Sequence, residues 1–290
     1  MLTCLAMLAF AGNSLLCRLA LKSTGIDAAS STSGRIAAGA LVLWAIVRIR
    51  DGGAAAAGSW VSAFWLFAYA AGFSFAYVTL PASTGALLLF GAVQATMIGY
   101  GLWKGERLRA AQVAGVAVAF GGLAGLLLPG LSAPPALGAA LMLFAGIAWG
   151  IYSLRGRAGG DATRITAGNF LRAVPFALLV SAASGSRASV DAAGVACAVA
   201  SGALASGVGY AIWYTALRGL KATVAATVQL SVPVIAAFGG VAFLGEAITV
   251  RLAACSVAIL GGIALFVAMR APEAAARAEP GERPLESSFR

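Results

Sequence analysis

Apolar stretches of about twenty residues follow one another along almost the whole chain, separated by short connections that contain glycine, proline and charged residues. Stretches of this length and apolarity are typical of transmembrane helices. They cover residues 2–20, 29–47, 60–79, 82–103, 110–128, 136–154, 163–183, 192–217, 222–243 and 249–269. The sequence therefore predicts an all-α integral membrane protein with ten transmembrane helices.

The charge content excludes a water-soluble globule. Of the 290 residues, 20 are Lys or Arg and 10 are Asp or Glu, whereas a soluble surface needs about a quarter of all residues to be charged. The formal charge of +10 forms no continuous basic face, so nucleic acid is not an expected partner. The chain has no histidine, no phosphate-binding loop and no clustered cysteines, so we expect neither a metal site nor a cofactor.

Cationic residues are concentrated in alternate connections. The even-numbered connections, counted from the N-terminus, contain Arg48, Arg50, Lys104, Arg107, Arg109, Arg155, Arg157, Arg164, Arg218 and Lys221. The odd-numbered connections contain only Lys22, Arg187 and Arg251. The positive-inside rule then predicts a multi-pass protein of the bacterial inner membrane with both termini in the cytoplasm. Residues 271–290, which lack an apolar face, are expected to form a disordered cytoplasmic tail.

The two halves of the chain carry the same short motifs at nearly constant spacing. Gly105-Glu106 recurs as Gly245-Glu246, and Gly121-Gly122 recurs as Gly261-Gly262. Further matches at a slightly smaller offset are Arg35 with Arg172, Tyr77 with Tyr214, and Gly12 with Gly150. The pattern predicts one five-helix repeat over residues 1–130 and a second over 131–270. Because five is odd, the second repeat must be inverted, which is an architecture of secondary transporters with a site near mid-membrane.

Two related segments carry a resemblance to a known family. They read GYGLWKGERLRAAQVAGVAVAFGG and GGVAFLGEAITVRLAACSVAILGG, and each ends one of the repeats. With the ten spans, they make residues 1–270 similar to the EamA-type branch of the drug/metabolite transporter superfamily, including the YddG-like amino-acid exporters. The resemblance implies a monomeric carrier whose central cavity is lined mainly by helices one, three, four, six, eight and nine.

Carboxylates are missing from the interior of the predicted spans. Glu106 and Glu246 lie at helix boundaries, where they are interpreted either as structural turns or as a proton-coupling pair. Small multidrug antiporters of the same superfamily use a glutamate in the first helix, whereas this helix offers only Asn13. A site for cationic drugs would therefore lack its counter-charge, and the sequence favours a gradient-driven facilitator or a carrier with weakly defined coupling.

Arg35 and Arg172 are cations within the predicted spans. A charged side chain in the bilayer should face protein, water or substrate. The two guanidinium groups could hold a carboxylate or a phosphate, or each could bind a neighbouring backbone carbonyl or extend to an interface. Their equivalent positions in the two repeats favour a structural role, in which each binds a backbone carbonyl or extends to an interface. Binding of an anionic substrate stays open as the alternative.

Uncharged polar and aromatic residues are the remaining candidates for contact with a substrate. Gln94 and Gln229 should face the bundle interior because a buried amide in lipid needs partners. The complete set of candidate substrate-binding residues is Asn13, Tyr77, Gln94, Tyr100, Trp149, Tyr152, Tyr210, Trp213, Tyr214 and Gln229. A cavity that is lined by uncharged polar and aromatic side chains suits a moderately apolar solute such as an amino acid.

These observations predict a secondary carrier, not an enzyme, that exports small metabolites by alternating access. Amino acids, including aromatic ones, are the expected substrates, and the lipid bilayer is the other partner. An exchanger of anions or sugar phosphates that uses the intramembrane arginines is the alternative. An integral-membrane enzyme would need acids, histidines or a metal cluster within the spans, and the sequence has no such constellation.

Overall fold

The computed structural model describes residues 1–52, 57–105, 107–130, 133–156, 160–185, 188–217 and 228–269, without the side chains of Tyr214 and Leu217. Within these residues the regular structure is helical throughout. The helices are α1 (Leu2–Ser23), α2 (Ala28–Asp51), α3 (Trp60–Tyr77), α4 (Ala82–Trp103), α5 (Ala110–Leu127), α6 (Ala136–Arg155), α7 (Ala162–Ser184), α8 (Ala192–Ala200, Ser201–Val208 and Gly209–Leu217), α9 (Ser231–Leu244) and α10 (Val250–Ala268). The predicted all-α membrane fold is confirmed.

Nine of the described helices are long and apolar enough to cross a bilayer. The remaining one, α9, has 14 described residues, and the first part of its predicted span, 222–227, lies outside the described residues. The sequence also predicts a bend in the middle of this helix at Pro233. In the structure Val228 and Gln229 are helical, the helix is interrupted at Leu230, and α9 begins at Ser231, so Pro233 lies three residues after an interruption of the helix. The predicted tail, 271–290, likewise lies outside the described residues.

Short polar side chains cap the N-termini of several helices. The Asp27 carboxylate accepts hydrogen bonds from the backbone N–H groups of Ala29 and Ser30 at the start of α2. Asp161 and Asp191 cap α7 and α8 in the same way. An acceptor at this position satisfies N–H groups that have no partner inside the helix, so each cap fixes where its helix begins.

Contacts between connections define two ends of the bundle. At the end that carries the odd-numbered connections, here called the odd end, Arg18 contacts Glu246 and the Asp27 N–H donates to the Ser189 carbonyl. At the opposite end, here called the even end, Arg50 pairs with Asp161. Successive helices therefore run antiparallel, and the even end carries the connections that the positive-inside rule assigns to the cytoplasm.

Corresponding helices of the two repeats, such as α1 and α6, make similar contacts with their neighbours. Helix α2 packs on α7, α4 on α9, and α5 on α10, so each of these helices contacts its own counterpart. The contact of α3 with α6 corresponds to that of α8 with α1, and the contact of α4 with α6 corresponds to that of α9 with α1. The bundle therefore has a central group of helices and an outlying pair, α5 and α10.

Glycines allow the closest approach within that outlying pair. A β-carbon on Gly115 would lie 2.7 Å from the carbonyl oxygen of Gly262, and one on Gly122 would lie 2.8 Å from the β-carbon of Ala258. Only a hydrogen atom fits at these contacts, which is how small residues bring membrane helices together. In contrast, Gly121 and Gly261 face open space. The GxxxG spacing of Gly121 and Gly125 predicts that both glycines lie at a close helix contact, and this prediction is wrong for Gly121.

Candidate functional site

A cavity lies in the middle of the bundle, between helices of both halves of the chain. It is lined by α1, α3, α4, α6 and α8, and is called the central cavity below. The lining residues are Phe10, Asn13, Ser14, Tyr69, Phe73, Leu89, Phe90, Trp149 and Tyr210. These are five of the six helices that the family resemblance implies, and α9 contributes no lining residue among those described.

The aromatic wall begins with a stripe of residues on α3. Tyr69, Phe73 and Tyr77 are spaced four residues apart, so they lie on one face of the helix. The Tyr69 and Phe73 ring centroids are 5.4 Å apart, and those of Phe73 and Tyr77 are 4.7 Å apart. Tyr69 and Phe73 line the cavity, whereas Tyr77 is buried above them and its hydroxyl donates to the Ala82 carbonyl.

Trp149 on α6 joins the aromatic residues of the two halves. Its ring centroid lies 4.8 Å from that of Tyr69 on α3 and 5.1 Å from that of Tyr210 on α8. It also packs on Tyr152, one turn further along α6. Aromatic rings at these separations attract one another beyond the effect of burial. The wall is thus a continuous aromatic surface, and a movement of α6 relative to α3 or α8 would alter it.

A polar group interrupts this wall at Asn13. The Asn13 amide donates from Nδ2 to the Tyr69 hydroxyl at 3.2 Å and accepts at Oδ1 from the Ser201 hydroxyl. Ser201 is the first residue of the π-helical segment in α8, a rare conformation that occurs often at functional sites. These two bonds leave Asn13 with one N–H and one acceptor lone pair unused, so the side chain can still bond a polar solute.

The central cavity is small. The volume open to the centre of a water molecule is about 20 Å³, which is room for one or two waters. A solute of amino-acid size cannot enter without displacement of the wall. In the described conformation the aromatic and polar groups therefore surround a nearly filled space.

A buried cation lies behind the wall. The guanidinium carbon of Arg35 on α2 is 4.8 Å from the Phe73 ring centroid and 5.7 Å from that of Tyr69. Its Nη2 donates to the Ala70 carbonyl at 3.0 Å. The repeat-related Arg172 lies elsewhere, where its Nη1 donates to the carbonyls of Ala57 and Gly168. The structure therefore separates the two arginines that the sequence groups together.

The structure places the sequence-predicted candidates in three groups. Asn13, Trp149 and Tyr210 line the central cavity. Tyr77, Tyr152 and Trp213 are buried and contact the rings of cavity residues. Gln94, Tyr100 and Gln229 are not among the residues that line it, and the Tyr214 side chain lies outside the described part of the structure.

The three residues away from the cavity have other surroundings. Gln94 lines an apolar crevice between α4, α5 and α10, because it lies on the side of α4 that faces the outlying pair. Tyr100 is 41% exposed near the even end, where it packs beside Trp103 and Lys104. Gln229 is half-buried just before α9. Their contact with a substrate stays a prediction.

Six of the nine residues that line the central cavity were not predicted from the sequence. The residues not predicted are Phe10, Ser14, Tyr69, Phe73, Leu89 and Phe90, together with Ser201 behind them. The four-residue spacing of Tyr69, Phe73 and Tyr77 is a signal that could have found the α3 stripe, because it marks one helix face. The apolar members carry no such signal, since lipid-facing positions are apolar as well. Among the described residues, no cluster of His, Cys, Asp or Glu could hold a metal ion.

The second Gly-Glu motif, Gly245-Glu246, connects several helices at the odd end. The Glu246 carboxylate accepts from the Ala82 N–H at 2.7 Å, at the start of α4, and contacts Arg18 Nε at 3.2 Å. Arg18 also donates to the Tyr77 carbonyl at 2.8 Å. This glutamate thus links α1, α3 and α4 to the α9–α10 connection. Its repeat partner, Glu106, lies outside the described residues, so the arrangement is described at one end only.

Replacing Glu246 with alanine should destabilise the protein. The change leaves the Ala82 N–H without its acceptor and Arg18 without its ion partner, and loss of such a buried charged acceptor costs about 1–3 kcal/mol. Thermal unfolding of the purified variant, followed by circular dichroism, measures the effect. Asp51→Ala is the matched control, because Asp51 pairs with Arg50 at an exposed position where ion pairs contribute about 0–1 kcal/mol. Equal melting temperatures for the Glu246→Ala variant and the wild type would contradict the proposed link.

Comparisons with known proteins are consistent with this architecture. Residues 136–268, which include α6 to α10, match the EamA-like transporter family. Uncharacterized protein PA1977 of Pseudomonas aeruginosa is 56% identical over 276 residues, which are 95% of this chain and 96% of that relative. One crystal structure superposes with a TM-score of 0.64 at 21% identity and covers 99% of both chains. That structure supports the fold alone.

Proposed function

We propose that this chain, which contains an EamA-like transporter family domain over residues 136–268, is a secondary carrier that exports small metabolites, amino acids in particular. The observation that carries the proposal is the central cavity, which both halves of the chain line. The site combines an aromatic wall with one polar group at Asn13. Binding sites for small organic solutes have this composition, with a mainly apolar lining and a few placed polar groups.

The proposed mechanism is alternating access between the two five-helix repeats, 1–130 and 131–270. Exchange of corresponding helices preserves the packing pattern of the bundle, so a rearrangement that opens one end has a counterpart that opens the other. The nearly filled cavity fits an intermediate between these two openings. The carrier acts as a monomer in the bacterial inner membrane, with both termini in the cytoplasm, and uses no cofactor.

An exchanger of anions or sugar phosphates is the second candidate, and one observation favours it. Arg35 is a buried cation directly behind two rings of the cavity wall. The paired use of both arginines has less support, because Arg172 already donates to two backbone carbonyls away from the cavity. A doubly charged phosphate would therefore meet a single cation here.

Counterflow in proteoliposomes tests the proposal. Vesicles that contain the purified protein are loaded with one unlabelled amino acid, purine or sugar phosphate, and entry of the same labelled solute is followed with and without a pH gradient. We expect transient accumulation of labelled neutral amino acids in both conditions, since the sequence places no carboxylate within a predicted span. Protein-free vesicles are the control. Accumulation of phosphorylated solutes alone would overturn the amino-acid proposal in favour of the exchanger.

A further inference from the structure

Arg35 is the most deeply buried cation described in the protein. Its exposed fraction is 3%, and it lies within the membrane-spanning part of α2. Nη2 donates to the Ala70 carbonyl, but Nη1 has no hydrogen-bond partner. Nor does any described carboxylate form a salt bridge with it. The remaining neighbours, the Tyr69 and Phe73 rings, stabilise the charge only by cation–π attraction.

Other arginines at the margins of the bundle are better satisfied. Arg18 pairs with Glu246 and also donates to backbone carbonyls. Arg251 donates to the carbonyls of Gly125 and Leu128 at the end of α5, and Arg172 donates to two carbonyls near the even end. These arginines act as caps. Arg35 is different, because an unpaired donor on a buried cation is costly unless a further acceptor arrives.

The Arg35 guanidinium group lies against two residues that line the proposed substrate site. Tyr69 and Phe73 each line the central cavity, and each lies against the Arg35 guanidinium. The cavity must widen to admit a solute, and a displacement of these two side chains removes the layer that separates the cavity from the charge. An anionic group in the widened cavity therefore finds a cation within a low-dielectric surrounding, where opposite charges attract strongly.

We propose that Arg35 is the counter-charge for a carboxylate of the transported substrate. This inference rests on the proposed function and narrows it: the substrate carries a carboxylate on an apolar or aromatic body. The body packs on the aromatic wall, the carboxylate accepts from the free Nη1, and Asn13 bonds a second polar group. The repeat-related Arg172 takes no part, because its donors already bind Ala57 and Gly168.

The test compares phenylalanine with phenylalaninamide, which keeps the amine and the ring but lacks the carboxylate. Counterflow gives the transport of each compound, and quenching of tryptophan fluorescence gives the binding of each without transport, since Trp149 lies in the cavity wall. A hydrogen bond to a charged group predicts that the wild type prefers the acid by about tenfold to a hundredfold. The ratio of the two compounds is the readout, because a general loss of stability does not change it.

Three variants identify the group responsible for this ratio. Arg35→Gln and Arg35→Met should each abolish most of the preference for the acid, and the apolar methionine suits the buried position if glutamine prevents folding. Arg35→Lys keeps the charge and should retain part of the preference, since its ammonium lacks the planar guanidinium geometry. Arg172→Gln is the matched control and should leave the ratio unchanged.

The outcomes separate this inference from the function on which it rests. Equal transport of acid and amide by the wild type, or an unchanged ratio in the Arg35→Gln and Arg35→Met variants, would overturn the role of Arg35 and leave the carrier proposal intact. Absence of counterflow for every solute tested would overturn the carrier proposal. In that case the fluorescence titration still decides whether the cavity prefers the acid and whether Arg35 is the cause.

Discussion

Replacing Gly262 with valine is expected to lower the melting temperature of the purified protein by several degrees. A β-carbon at this position would collide with the Gly115 carbonyl oxygen and lie 2.7 Å from the backbone nitrogen of Ala119. Both obstacles are backbone atoms, so no side chain can rotate away, and α5 must move off α10. Overpacking of this kind costs about 1–3 kcal/mol. Thermal unfolding in detergent, followed by circular dichroism, measures the change.

The neighbouring glycine supplies the control. Gly261 has the same sequence context, but a β-carbon there would meet nothing within 4 Å. Gly261→Val should therefore leave the melting temperature nearly unchanged, because valine on a lipid-facing surface is well tolerated. If the two valine variants melt alike, the close packing of α5 on α10 is not what this motif provides.

Replacing Asn13 with leucine is expected to reduce amino-acid counterflow at least about tenfold. The substitution keeps the side-chain size but removes the amide that bonds Tyr69 and Ser201 in the central cavity. A substrate then loses its polar contact at this point and meets an apolar surface in its place. Initial rates of counterflow in proteoliposomes, corrected for the amount of inserted protein, measure the effect.

Gln94→Leu is the matched control for this variant. It makes the same chemical change at another buried amide, which lines the crevice between α4, α5 and α10 rather than the central cavity. Its effect on counterflow should be smaller than that of Asn13→Leu by a wide margin. An equal loss of transport in both variants would show that the central cavity is not the substrate site.

Much of the fold could be predicted from hydropathy because transmembrane helices form locally. Each helix satisfies its own backbone hydrogen bonds, so a sufficiently long apolar stretch fixes its presence and approximate ends without reference to neighbours. The predicted span 136–154, for example, becomes α6 at Ala136–Arg155.

The candidate site was less predictable because the usual sign of a helix's inner face is weak in a membrane. In a soluble protein, apolar residues mark the buried face, whereas here both the buried and the lipid-facing sides are apolar. Asn13 and Gln94 are both buried amides in the sequence-based set, yet only Asn13 lines the cavity. The choice depends on how each helix is rotated about its axis, which is set by its neighbours.

The sequence by itself determined that this chain is a multi-pass helical membrane protein and which residues recur in its two halves. Tertiary structure alone decided what those residues do. Gly262 lies in a helix contact while Gly261 faces open space, and Arg35 lies behind the aromatic wall while Arg172 binds backbone carbonyls. The physical reason is that hydropathy is a property of each segment, whereas rotation and contact are properties of pairs of helices, so identical residues acquire different surroundings when the helices pack.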